Sequence, residues 1–260
     1  MRFILPRNLK LTLAYDGTPY SGWQVQPDRR TVQGELATAI KRITGEEVLP
    51  RGSGRTDAGV HALGQVANFA TETKIPCTNL VRAFNSNLPD TIRVLNVQEV
   101  GPDFHARHSA LAKTYRYRIY RDTVCPPFLF AHVLHHPYPL DEAAMAQAAS
   151  VVIGEHDFTS FAAVDPERRQ SQEEDTTGRG NIRRIFSSEF RRDGEELVYE
   201  VRGDGFLHHM VRNLVGVFLL VGKGTMNPQD IPRILECWDR SRNPGATAAA
   251  SGLYLVNVEY

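Results

Sequence analysis

Cysteine is scarce. The 260 residues hold three, Cys77, Cys125 and Cys237, an odd number set far apart, which excludes a disulfide framework and a CxxC metal pair and predicts three reduced, buried small residues. The nine histidines form neither HExxH nor a deaminase-type HxE…PCxxC pattern, so no metal is expected. No apolar run reaches the roughly 18 residues of a membrane span, and MRFILPRNLK meets Pro6 and Arg7 too early for a secretory signal. A cytoplasmic protein without membrane association is the expectation. Excess charge is also missing: 30 basic residues balance 30 acidic ones and the pI is about 7.1, not the footprint of a uniformly basic nucleic-acid binder.

Distribution qualifies that balance. Basic residues gather from His105 to Arg121 and at Arg183, Arg184, Arg191 and Arg192, while acids gather at 172–175 and 193–200. The neutral total therefore accommodates either a basic cleft or a mixed, solvated surface. A hydrophobic content of 42% with 23% charged residues suits one large globular domain or two ordinary ones.

The most unusual stretch is RGSGRTDAGVHALGQVANF, residues 51–69, in which Gly52, Gly54, Gly59 and Gly64 surround one carboxylate, Asp57. Such a backbone avoids helix, admits positive φ and allows close approach to a ligand. No lysine is present, which excludes a phosphate loop of the GxxxxGK[ST] kind, and Asp57 stands where GxGxxG needs its third glycine. Two readings remain: a turn whose Asp bonds its own backbone, or a loop that delivers an acid or nucleophile to a substrate. Arg55 would brace the loop or hold a phosphate, and His61 is read as structural.

Periodicity places this loop within a regular succession of elements. Residues 9–15 alternate as a strand, Thr31 opens a helix with Val32, Leu36, Ile40 and Ile43 on one face, and Gly45 ends it. Strands at 48–52 and 65–70, the latter part of an alternation beginning at His61, then flank the Asp57 loop, followed by a helix over 79–87 and a strand over 91–100. After it come a strand over 114–120, a helix capped by Asp141 and ending at Gly154, a hairpin of 182–190 with 197–202 around Asp193 and Gly194, a helix over 207–221, a short helix over 228–238 and a strand over 253–260. The grammar β-α-β-β-α-β thus occurs twice. It predicts an α+β protein of two tandem ferredoxin-like units, residues 1–105 and 106–260, with antiparallel sheets meeting around a central cleft. Residues 165–181 are polar and are read as a mobile insertion.

Two further segments carry candidate chemistry. In the predicted helix, Leu207, Met210, Val211, Leu214, Val215, Phe218 and Leu219 form an apolar stripe, with His208 and Arg212 four residues apart along its margin. Arg212 would lay its stem over the core, or stand at a cleft and hold a carboxylate ionised. In TYRYRIY, Tyr115, Tyr117 and Ile119 share one face and Arg116, Arg118 and Tyr120 the other. Ordinary sheet packing, or a stacking platform beside phosphate-binding arginines, would produce that pattern. A two-carboxylate hydrolase would need a second acid, for which Asp204 is a weak candidate.

The string GRTDAGVHA with GQV after it, together with FHARHSALAKTYRYRIY (104–120), GDGFLHHMVRNLVG (203–216) and GLYLVNVEY (252–260), closely resembles the tRNA pseudouridine synthase A family, segment by segment and in order over essentially the whole chain. The resemblance implies that Asp57 is catalytic, that Arg212 pairs with it, that Tyr115 packs on the target base and that Gly252 and Leu253 line the pocket. It also implies a homodimer acting without a cofactor on uridines 38, 39 and 40 of the tRNA anticodon stem-loop. Arg55, Arg116, Arg118 and His208 complete the candidate site.

Overall fold

The computed structural model describes residues 6–163 and 179–260. In chain order the first elements are β1 (Arg7–Tyr15), α1 (Val32–Thr44), β2 (Arg51–Gly52), β3 (His61–Thr71), α2 (Cys77–Asn87) and β4 (Ile92–Val100). Then follow β5 (Ala112–Tyr120), α3 (Pro127–Phe130), β6 (Leu134–His135), α4 (Glu142–Val151), β7 (Gly154–Asp157), β8 (Ile182–Asp193), β9 (Glu196–Gly203), α5 (Met210–Gly222), α6 (Ile231–Glu236) and β10 (Leu253–Glu259). The fold is α+β and mostly antiparallel. Two compact units are present, one running to Leu111 and including Tyr254–Tyr260, the other Ala112–Leu253.

In the first unit the strand order is β4-β1-β3-β10, with β1 antiparallel to both neighbours and β10 parallel to β3. The alternation of β1 sends Leu9, Leu11 and Leu13 into the core with no exposed surface. Thr31 caps α1 by accepting from the Gly34 N–H, and Gly45, at φ 79, returns its own N–H to the Lys41 carbonyl, as expected of a left-handed C-terminal glycine. Leu36 and Ile40 of α1 and Leu80 and Phe84 of α2 are fully buried, and Phe84 meets the Phe69 ring edge-on.

The second unit orders its strands β5-β9-β8-β7, all antiparallel, with the short β6 parallel to β5. Asp141 caps α4 through the Ala144 N–H. Tyr199 and Phe218 meet at 5.2 Å in its core, and the buried Tyr199 hydroxyl is satisfied by Ser188 at 2.9 Å.

Several boundaries differ from the sequence reading, each for a local reason. Of the strand expected over 48–52 only Arg51–Gly52 pairs, because Pro50 has no N–H to give and its carbonyl accepts from Gln33. The run from His61 is buried at nearly every position and does not alternate. The helix expected to reach Gly154 stops at Val151, and Gly154 opens β7. The helix expected from Leu207 starts at Met210, after His209 takes a left-handed φ of 59. Leu207 and His208 therefore precede it, and the four-residue helical spacing of His208 and Arg212 does not apply. The last strand, read as closing the second half, pairs with β3 of the first unit. None of the cysteines is fully buried, and Cys237 is exposed. Most of the expected insertion over 165–181 lies outside the described residues; Asn181 leads directly into β8. Among the described residues no helix is long and apolar enough to cross a membrane.

Candidate active site

The Asp57 loop is held from below by residues 15–23. Its own turn closes with the Val60 N–H on the Asp57 carbonyl at 3.1 Å, and Gly59 takes φ 77 between them. Trp23 donates its backbone N–H to the Thr56 carbonyl at 3.0 Å, and Gly59 donates to the Tyr20 carbonyl at 3.3 Å. The approach is so close that a Cβ on Gly17 would lie 2.0 Å from the Val60 oxygen, and one on Gly22 2.6 Å from the Thr56 oxygen. Gly52 faces the Trp23 indole at 2.6 Å in the same sense, and Gly64 faces the Val256 oxygen at 2.4 Å. Two of the glycines expected to admit a ligand, Gly52 and Gly64, are thus spent on one indole and on protein backbone.

A buried network fixes the side leading to Asp57. The Ser53 hydroxyl donates to Gln65 Oε1 at 2.6 Å, Gln65 Nε2 donates to the Gly54 carbonyl at 2.9 Å, and the Tyr15 hydroxyl shares a proton with Thr56 Oγ1 at 2.8 Å. Burial pushes the Tyr15 hydroxyl up to about 12, against the lowering by Thr56 and Gln65, so it remains a neutral donor. Leaving one partner of such a buried group unsatisfied costs about 1–3 kcal/mol, which makes the network a rigid mount. His61 belongs to that mount: it is 1% exposed, its Nδ1 accepts the Gly17 N–H at 3.1 Å and its ring stacks on Tyr254 at 4.7 Å. Asp57 and Arg55 are half-buried.

The second unit arranges the other candidates around β5. Tyr115, Tyr117 and Ile119 are buried, with Arg116 and Arg118 on the opposite face. Tyr115 meets the Phe206 ring edge-on at 5.0 Å. Tyr117, with no exposed surface, donates its hydroxyl to the Ala249 carbonyl at 2.8 Å; burial raises its pKa despite the opposing charge of Arg212. A Cβ on Gly252 would sit 2.7 Å from that ring, so the glycine lets the chain pass over Tyr117 into Leu253.

Arg212, half-buried in the first turn of α5, is aimed by a strap over residues 239–249. Its Nε donates to the Ala248 carbonyl at 2.7 Å while the Ala248 N–H returns to the Arg212 carbonyl at 3.2 Å. Asn213 beneath it donates to the Phe161 carbonyl and accepts from Thr247 and Arg240. Gly216 lets the Ala246 oxygen within 1.9 Å of where a Cβ would be.

The predicted phosphate ligands of β5 are already engaged. Arg116 binds Glu200 at 2.9 Å and Arg118 binds Glu196 at 2.6 Å, both across the ladder to β9. Of the acidic run over 193–200, Glu196 and Glu200 face these arginines, and Asp193 pairs with Arg191 at 3.2 Å. Asp204, the weak second acid, accepts from the Arg184 N–H and from Arg179, each at 2.9 Å, a structural duty at the foot of β8. His208 lies just before α5, with its carbonyl taking the Ala163 N–H.

Sequence reading passed over Tyr15, Gly17, Gly22, Trp23 and Gln65, and the strap with Asn213. A signal existed: Gly17, Gly22 and Trp23 crowd one segment, and glycines beside large aromatics mark close backbone approach.

A model of the family described as "tRNA pseudouridine synthase" matches residues 12–109 and 148–260. The chain belongs to the tRNA pseudouridine synthase family. A protein of Solibacter usitatus named tRNA pseudouridine synthase A is 51% identical over 98% of this chain and all of its own length. Proteins of the same name from Moorella thermoacetica and Caldicellulosiruptor saccharolyticus are 46% and 45% identical, over 97% and 98% of this chain and 99% and 100% of theirs. The family match takes in the Asp57 loop with its mount, together with Arg212, Gly252 and Leu253; Tyr115 falls between its two matched stretches, within the span that the relatives cover.

Proposed function

We propose that this protein isomerises uridine to pseudouridine in tRNA, at positions 38, 39 and 40 of the anticodon stem-loop, as a cytoplasmic homodimer. The observation that carries the proposal is a single carboxylate, Asp57, on a turn fixed by bonds to the backbone of Tyr20 and Trp23, in a chain of this family. The reaction breaks the bond from ribose C1′ to uracil N1, turns the base and joins C1′ to C5; C5 gives up its proton and N1 takes one up, so the composition is unchanged. An ionised Asp57 attacks C1′, removes the C2′ proton or adds to C6; each route needs an unprotonated carboxylate in contact with the nucleotide. The target uridine must leave its stack, at a cost of a few kcal/mol, and Tyr115, with its ring steadied by Phe206, supplies a surface to receive it. Gly252 and Leu253 line the pocket in this reading, Arg55 and His208 contact the nucleotide, and Arg116 and Arg118 meet phosphate beside the glutamates that partner them.

Incubation with unmodified tRNA, followed by mapping of carbodiimide-resistant primer stops, tests the proposal. New stops confined to uridines 38–40 are expected, and their absence from every uridine overturns it.

Arg212 is proposed to keep Asp57 ionised. A nearby cation lowers a carboxylate pKa, so its removal raises that pKa and moves the acid limb of the kcat profile to higher pH. Arg212→Ala is expected to show that shift together with lower activity at pH 7. Arg212→Lys, which keeps the charge but loses the Nε bond to Ala248, is expected to hold the limb in place. An unshifted limb in Arg212→Ala contradicts the role.

A further inference from the structure

The turn over residues 105–109 is a cationic feature of the first unit, and the isomerase reading gives it no role. It is rigid by construction. Ser109 donates its N–H to the His105 carbonyl at 2.9 Å while its hydroxyl accepts the His105 N–H at 3.1 Å. The backbone N–H groups of Arg107 and His108 both point at His105 Nδ1, at 3.1 and 3.3 Å. Ala106 is pinned from two sides, its N–H by the buried Asn68 side chain at 2.9 Å and its carbonyl by the Tyr260 hydroxyl at 2.7 Å. Asn68 is in turn held by Asn8 at 2.9 Å.

This mount crowds positive charge. Arg107 and His108 are exposed on the turn, exposed Arg51 pairs through its backbone with Asn68, and Lys10 lies 5.3 Å over the Tyr260 ring. The rings of His105 and His108 are 4.3 Å apart. Burial, and after it the charges of His108, Arg51 and Arg107, hold the His105 pKa below its ordinary value. A neutral His105 keeps Nδ1 free to accept the two N–H bonds that shape the turn. Cationic side chains gathered on an exposed turn draw an anion to its outer side. Preorganisation also removes the ordering entropy that flexible surface arginines would lose on binding.

We infer that Arg51, Arg107 and His108, with Lys10 beside them, form a phosphate-binding site for the RNA backbone, distinct from the Asp57 loop. Asn68 lies seven residues along β3 from His61, about 23 Å at a strand's rise, and Asp57 belongs to the turn just before His61. The phosphate held here therefore belongs to RNA well beyond the reacting nucleotide. The site rests on the RNA-modifying reading for its ligand, but not on the chemistry at Asp57.

Equilibrium binding of unmodified tRNA across a salt series, measured without turnover, tests it. Arg107→Ala/His108→Ala is expected to bind about tenfold more weakly and to reduce the salt slope by roughly one for each phosphate left unneutralised. Arg51→Glu is an independent variant with the same expected direction, and an unaltered melting temperature in both excludes misfolding. If the parent isomerises tRNA and both variants bind with its affinity and slope, the site fails alone. If the parent binds tRNA without forming pseudouridine and the variants lose slope, the isomerase reading fails and the site stands.

Discussion

Asp57→Asn is expected to lower pseudouridine formation by about 10⁴-fold or more, the scale of losing a reacting group, with tRNA affinity altered less than about threefold. The structure explains why the two effects separate. Bonds made by backbone or by a neighbour hold the loop: the Asp57 carbonyl takes the Val60 N–H, Trp23 holds Thr56, Tyr20 holds Gly59, and Ser53, Gln65 and Tyr15 fix the approach. Asn has the same shape and leaves each of those bonds in place. It cannot act as an anionic nucleophile or base at C1′, C2′ or C6, so the loss is chemical and the fold persists. Single-turnover kinetics on unmodified tRNA, beside filter binding of the same RNA, give both numbers. Activity within tenfold of the parent would remove Asp57 from its role.

How far the sequence disclosed this arrangement depends on whether a signal was local. Thr31, Gly45 and Asp141 announced their caps because capping is decided within three or four residues. The shared face of Tyr115, Tyr117 and Ile119 was legible from strand alternation, and all three are buried. Features set by distant partners were not. The glycines over 52–64 advertised close approach, yet nothing in the string says that Trp23 and Val256 do the approaching. The arginines of TYRYRIY read as free cations because their partners, Glu196 and Glu200, lie some eighty residues on and meet them only through the antiparallel register of β5 with β9. The start of α5 was misread for a subtler reason. The apolar stripe extends back to Leu207, but a left-handed His209 breaks the helix, and a positive φ at a residue other than glycine leaves little trace in sequence.

Gly22→Ala is expected to lower activity about 100-fold, although the residue is neither acidic nor in the conspicuous loop. At φ +93 an alanine meets left-handed strain of about 1–2 kcal/mol, and its Cβ would fall 2.6 Å from the Thr56 oxygen and 3.1 Å from the Asp57 carbonyl carbon. All of these neighbours are backbone, so no side chain can swing aside; the 56–58 segment must move. A displacement near 1 Å of a catalytic group is enough for about a hundredfold loss in rate. Total destabilisation of about 2–4 kcal/mol is expected, since the strain adds to the displaced Trp23–Thr56 bond. Stability alone would not prove the point, and Gly45→Ala supplies the comparison. Gly45 also has a positive φ, +79, but an added Cβ there meets nothing within 4 Å. It carries the left-handed penalty without touching the loop, so it is expected to lose about 1–2 kcal/mol and keep its rate. Urea unfolding and single-turnover rates for both variants decide the matter. Should Gly22→Ala turn over as fast as Gly45→Ala, the 15–23 segment does not aim Asp57, and the mount assigned to it is only a scaffold.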